Sequence, residues 1–224
     1  LSVSSRTSYY LMFAPALIML LAVLYPFFQG VYTAFTNQKL YLESSTFIGI
    51  GNFLELFKND EFRDSIYRTL LYTLAVISVQ LPLGVTVAWL LNQNNKIQSL
   101  LRNTLVLPLL IPPVVAGLMW KTMMQPQSGI LNWLLNNIGL PSFSWLSDTN
   151  TALISVVLID TWVFTPFAAL IFLAGLQSIP NDMIEAAQID GASSSLIFRA
   201  IQLPWLFPYI ILVTLFRVSD SMKS

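Results

Sequence analysis

The chain has 224 residues, of which 55% are hydrophobic and 10% charged, and its 11 basic and 11 acidic side chains leave no formal net charge. A soluble domain carries about a quarter charged residues, so the composition points to lipid; the lack of a basic excess removes nucleic acid, whose binding needs clustered cations to displace counterions. There is no cysteine and no histidine, which excludes disulfides, thiolate zinc sites and histidine-based acid–base chemistry from this stretch.

A membrane-spanning helix needs about 20 mostly apolar residues. Residues 9–35 form an uncharged run of that kind, with Pro15 and Pro26 inside it. It continues past any plausible cleavage site and so reads as a span rather than a signal peptide. The segment 36–68 is polar with alternating charges. Within it, residues 52–59 place apolar side chains at near-helical spacing, as a short helix lying on the membrane surface does.

Residues 69–91 form a second uncharged run. Its Gln80, Pro82 and Gly84 either line a cavity or let neighbouring helices approach closely. A short loop with Lys96 and Arg102 follows, and then a third apolar run, 104–124, interrupted by Pro108, Pro112 and Pro113. The connection 121–150 carries Trp133 and Trp145, residues suited to the interfacial zone. Residues 151–176 form a fourth run, and 203–220 a fifth, near whose end Arg217 and Asp220 appear. Prolines this frequent set bends in a membrane bundle, where neighbouring helices satisfy the freed carbonyls. The expectation is an all-α, polytopic membrane helix bundle: one transmembrane domain over 1–224 with five visible spans.

Asp160 is the one charge well inside a run. Ionising it at the bilayer centre costs at least about 2.5–3.5 kcal/mol on insertion scales, so it faces the bundle or a wet cavity. Two roles are open. Asp160 lines a solute path, with Trp162 as a stacking surface, or it hydrogen-bonds to Thr161, Thr165 or a neighbouring span.

The stretch 177–202 has its own punctuation. Asn181 or Asp182 is available to cap a short helix over 183–189, Gly191 ends it, and Ser193 to Ser195 cap a second helix over 196–201. Leu203 and Pro204 return the chain to the membrane. The product is either a compact knob for a partner or a re-entrant interfacial loop.

These residues carry a resemblance. Glu185-Ala186-Ala187, Asp190-Gly191-Ala192, Ile201 and Leu203-Pro204 resemble the EAA loop of ABC importer permeases, with Gly six residues after Glu and Ile ten after that Gly. Further along the chain, 102–108, 111–113, Trp120, 129–133, 145–148 and 160–167 are similar to the carbohydrate-uptake branch, with its maltose, lactose and glycerol-phosphate types. The resemblance implies a transport subunit of the cell (inner) membrane that performs no catalysis. It implies a second, non-identical permease, an ATPase dimer that binds ATP and Mg, and an extracytoplasmic solute-binding protein. Residues 177–202 would be a cytoplasmic coupling loop, with Glu185 as the charged contact, Ala186 and Ala187 as close-packing contacts and Gly191 as the turn. It also implies six spans; five visible runs, an initial Leu1 and an abrupt end carry the expectation of a truncated domain. Charge alone leaves orientation open, since Arg6, Lys96, Arg102 and Arg199 on one side balance Lys39, Lys58, Arg63, Arg68 and Lys121 on the other.

No phosphate-cradling glycine loop ending in Gly-Lys-Ser/Thr is present, so ATP hydrolysis needs another chain. The alternative from another class is an ion-coupled secondary transporter. Such carriers show internal repeats and several intramembrane ionisable groups, against one such group and no repeat here.

Overall fold

The computed structural model describes residues 5–38, 45–92 and 96–223. Lys39 and residues 93–95 of the short basic loop lie outside them. Among the described residues all regular structure is helical apart from one isolated bridge, Thr36 with Phe47. Two compact units are formed, Leu1–Tyr67 and Arg68–Ser224.

The first unit holds α1 (Ser5–Ala34), α2 (Gly51–Lys58) and the start of α3 (Asp60–Leu91). Helix α1 is apolar all round rather than on one stripe, the pattern of a helix whose solvent is hydrocarbon. Its last carbonyls would be orphaned where the helix stops. Asn52 of α2 supplies the missing donors, its Nδ2 donating to the carbonyls of Ala34 and Thr36 at 2.8 Å each. Phe35 closes the same corner against Phe53, with ring centroids 5.5 Å apart. The expected short helix is present as α2, but the next helix begins sooner than expected. Asn59 Oδ1 accepts from the amides of Glu61 (2.8 Å) and Phe62 (3.3 Å), and this cap starts α3 nine residues before the apolar run.

The second unit is built on α3, α8 (Thr149–Gln177) and α11 (Leu203–Ser221). Its core joins Val85, Ala88 and Leu91 of α3 to Ala168, Phe172, Leu173 and Leu176 of α8 and to Leu206 and Val213 of α11. Two glycines set the spacing. A Cβ on Gly84 would stand 3.0 Å from Ala168 Cβ and 3.1 Å from the Phe172 ring, and one on Gly175 would stand 2.9 Å from both Leu206 and Tyr209. For Gly84, close helix approach is the reading that holds.

The run 104–124 is not one straight helix. It comprises the end of α4 (Lys96–Leu105), α5 (Leu107–Leu110) and α6 (Pro113–Met123), and the chain turns by 94° between Leu110 and Pro113. Pro112 and Pro113 explain the break, since neither has an amide hydrogen and the residue before a proline is pushed out of the helical region. Among the described residues, four helices are long and apolar enough to cross a membrane, or five if this bent pair counts as one.

The connection after α6 is more ordered than a loop. It contains α7 (Ile130–Asn137), whose buried Asn132 donates to the carbonyls of Pro126 (3.0 Å) and Phe143 (2.9 Å) and accepts from the Phe143 amide (3.1 Å) and Trp145 Nε1 (2.9 Å). Trp145 is thus tied into the loop's interior, while Trp133 is exposed.

If the glycine contacts set helix spacing, Gly175→Leu destabilises the detergent-purified protein by about 1–3 kcal/mol through overpacking. Gly117→Leu, where an added Cβ meets nothing within 4 Å, leaves the melting temperature nearly unchanged.

Candidate functional site

The segment between α8 and α11 folds as α9 (Asn181–Ile189), a turn, and α10 (Ser194–Ile197), which passes through a π-helical turn (Phe198–Gln202) directly into α11. Two expectations are corrected. Neither Asn181 nor Asp182 caps α9, because Pro180 holds the cap position and makes no side-chain bond there. The second short helix is not separate either: Ser193 Oγ accepts from the Leu196 amide at 3.3 Å, and one continuous helical path then runs to Ser221. The free-standing helix of this segment is therefore α9, while α10 continues into α11.

Its far end is closed by backbone geometry. Gly191 adopts φ +80°, its amide bonds to Gln188 O at 3.0 Å, and the Ala192 amide reaches back to Ala187 O at 2.9 Å. Only glycine holds that left-handed position without strain. Helical periodicity then sorts the side chains. Ile184 packs toward the core and Ala187 is half-buried, whereas Glu185, Ala186 and Asp190 are exposed. Met183 and Ile189 flank Ala186 on the open face, with Ile189 85% exposed. Ala192 is half-buried; Ile201 lies in the π turn against the core, and Leu203 and Pro204 open α11. The expected residues thus divide between an exposed helix and the root of the last long helix. A cavity of 370 Å³ lies behind α9, lined in part by Asn92, Gln177, Glu185 and Gln202.

A second constellation lies near the middle of α8, away from α9. Asp160 Oδ2 accepts from Gln80 Nε2 of α3 at 2.7 Å and from Arg217 Nη2 of α11 at 2.5 Å. Arg217, 2% exposed, also donates through Nη1 to Asp220 at 2.8 Å and stacks on Phe164, 4.2 Å from the ring centroid. Thr73 Oγ1 of α3 bonds to Ser221 Oγ at 2.9 Å. One carboxylate therefore gathers three helices. The partners come from neighbouring helices; Thr161 and Thr165, on α8 itself, leave their buried hydroxyl oxygens without partners. Trp162 meets Trp120 edge-on, at 5.7 Å between centroids, and does not join the Asp160 network.

Arg217 is the residue that sequence reasoning missed. It reads as the exit from an apolar run, and only its return to α8 reveals a counter-ion. The available signal was pairwise, since a lone acid in one span requires a donor in another.

A family model described as the binding-protein-dependent transport system inner membrane component matches residues 80–224. The probable ABC transporter permease protein y4oQ of Sinorhizobium fredii is 39% identical over 92% of this chain and 67% of its own length. The trehalose/maltose transport system permease protein MalF of Thermococcus litoralis is 32% identical over 96% and 73%. The sulfoquinovosyl glycerol transport system permease protein SmoG of Agrobacterium fabrum is 33% identical over 100% and 73%. Among solved structures, a chain of a bacterial ABC transporter involved in import of the acidic polysaccharide alginate superposes with a TM-score of 0.83 at 24% identity, covering 96% of this chain and 73% of that one, and shares the fold. A chain of the alginate transporter in complex with alginate pentasaccharide-bound periplasmic protein gives 0.82 at 26% identity, over 93% and 70%.

Removing one member of a buried pair leaves an uncompensated charge. Arg217→Met should destabilise the protein by about 3–5 kcal/mol, and Asp160→Leu together with Arg217→Met should recover most of that loss. Thermal unfolding of the three variants in one detergent checks both.

Proposed function

The chain belongs to the family of binding-protein-dependent transport system inner membrane components, and on that premise we propose that it is the permease subunit of an ATP-driven importer of a carbohydrate. Membership sets aside the ion-coupled carrier. Supporting a sugar are the names of its relatives, which span trehalose/maltose, glucose and sulfoquinovosyl glycerol systems. The particular carbohydrate is left open by that spread.

The proposed assembly pairs this chain with a second, non-identical permease, an ATPase dimer that binds ATP and Mg, and an extracytoplasmic binding protein that delivers solute. In it the chain performs no catalysis and contributes half of the translocation path. Alternating access follows when nucleotide state and solute binding favour different arrangements of the same helices, each by its differential affinity.

The single observation that carries the coupling role is the form of α9. It is a short helix with a smooth exposed face, Met183–Ala186–Ile189, flanked by Glu185 and Asp190. An apolar knob between charges suits a cleft of an ATPase: the apolar side chains exclude water and the carboxylates fix register. Because α9 joins α8 to α11, a push on it reaches both helices. We assign the direct contact to Glu185, Ala186 and Asp190, with Met183 and Ile189 beside them. Ala187, half-buried, and Gly191 and Ala192 shape the knob, and Ile201, Leu203 and Pro204 root it. The segment is then cytoplasmic and the amino terminus lies on the same side. Asp160 is assigned to helix joining rather than to contact with solute.

The absence of native cysteine makes the test direct. Ile189→Cys, expressed with its ATPase carrying single cysteines around the docking cleft, should form a disulfide in membranes whose yield changes with ATP; Ala187→Cys should crosslink several-fold less. Equal crosslinking at both positions, or none from any cleft position with both proteins folded, would remove the coupling assignment.

A further inference from the structure

We propose that the space between α9 and the bundle is a binding site for a neutral mono- or disaccharide, which ties α9 to the ends of α3 and α11 when it is filled. The site stands on its own lining; only its consequence for transport rests on the coupling role assigned to α9.

Two cavities, of 370 and 280 Å³, adjoin behind α9 and share Asn92, Ile184, Gln188 and Gln202 in their walls. Together they fall within the ~300–1,000 Å³ usual for small-molecule sites. Helical periodicity, about 100° per residue, separates this side of α9 from the docking face. Asn181, Ile184 and Gln188 turn toward the cavities, Met183 and Ala186 turn away, and Glu185 stands at the rim between them.

The wall has the chemistry of a sugar site. Gln177 and Asn181 join Asn92, Gln188 and Gln202, so carboxamides dominate it, and Trp89 adds a half-buried ring in the second cavity, 5.8 Å from Phe198. A carboxamide offers a donor and an acceptor in one plane, which matches hydroxyl groups that each donate and accept. The tryptophan face suits the apolar side of a sugar ring. No lysine or arginine among the described residues lines either cavity, and the charge present is that of Glu185. A phosphate or carboxylate would therefore lose its water with no cation to offset the loss.

Much of this capacity is unspent. Among the described residues, the side chains of Asn92, Asn181 and Gln188 form no hydrogen bond within the chain, and Gln202 Oε1 is buried without a partner. Gln202 also ends the π-helical turn Phe198–Gln202, a distortion that recurs in helices at functional sites. Gln177 is braced instead. With its oxygen toward α4 it accepts from both terminal nitrogens of Arg102 at 3.2 Å, and Arg102 Nη2 also holds the Leu91 carbonyl at 2.6 Å.

A sugar bonded to Gln188, Asn92 and Gln202 at once would join three helices through one ligand. It would favour the arrangement in which α9 rests against the bundle, by its differential affinity for that arrangement. Under the coupling reading the cargo is released on the α9 side, so an accumulating sugar reaches this site and slows further turnover.

The test uses the full chain in lipid nanodiscs, so that no sugar-headed detergent competes, and no binding protein is present. Saturation-transfer NMR titrates D-glucose, maltose and glucose 6-phosphate. One or both neutral sugars should bind with a Kd of about 1 mM, and glucose 6-phosphate about tenfold more weakly or not at all. Gln202→Leu should weaken binding about five- to tenfold, the scale of a lost hydrogen bond, and Gln188→Trp, which fills the shared wall, should abolish it. Sugar should also slow amide exchange over residues 183–190 several-fold in the parent and leave it unchanged in Gln188→Trp. The site is overturned by no saturable binding of either neutral sugar, by equal binding of the phosphate, by binding that both substitutions leave intact, or by unchanged exchange. Should Gln188→Trp fail to fold, Gln202→Leu decides alone: weakened binding supports the site and unchanged binding overturns it. ATP turnover of the assembled complex with sugar on the α9 side reports separately on the coupling reading, since unslowed turnover with the site filled removes that consequence and not the site.

Discussion

A carboxylate and a guanidinium in hydrocarbon are tolerated only where they find each other, and that demand joins three helices here. Asp160 takes donors from α3 and α11 at once, so the helices that carry Gln80 and Arg217 cannot rotate freely about their axes. Hydrophobic burial cannot impose such register in a membrane, where lipid tails are as apolar as leucine and association depends on packing and polar bonds. Gly84 and Gly175 add the complementary constraint by bringing backbones close enough for dispersion contacts to accumulate.

The chain order gives these contacts a mechanical consequence. Helices α8 and α11 are consecutive long helices, and the segment that joins them holds the exposed helix α9. A displacement applied at α9 enters both helices at their tightly packed ends. The two helices remain in contact beyond that end, through Phe167 against Phe216 and Arg217 on Asp160.

Much of this was legible in the residues. The long apolar runs gave the membrane class because a backbone in lipid must satisfy itself, which leaves helices as the economical solution for runs of this length. The pattern from Glu185 to Pro204 marked the connecting segment, since Gly191 and Ser193 act on their immediate neighbours. Pairwise and non-local features were not legible. The continuity of α10 with α11 depends on Phe198 and Ile201 packing against the core, and Trp89 from α3 meets Phe198 at 5.8 Å. The 94° turn at Pro112 and Pro113 was visible as a break but not as an angle, because two prolines set local dihedrals and not the direction of a following helix.

What the sequence determined by itself was local: helical class, the positions of breaks and caps, and the identity of the family through a segment with fixed internal spacing. Local interactions act over a few residues and so leave their signature in order. The tertiary structure alone decided that Arg217 belongs to Asp160, that Ala186 faces outward and Ala187 inward, and that Gly175 is a point of contact. Each depends on which faces of separate helices meet, and in a membrane that choice is made by shape and paired charge rather than by hydrophobicity that a linear pattern can display.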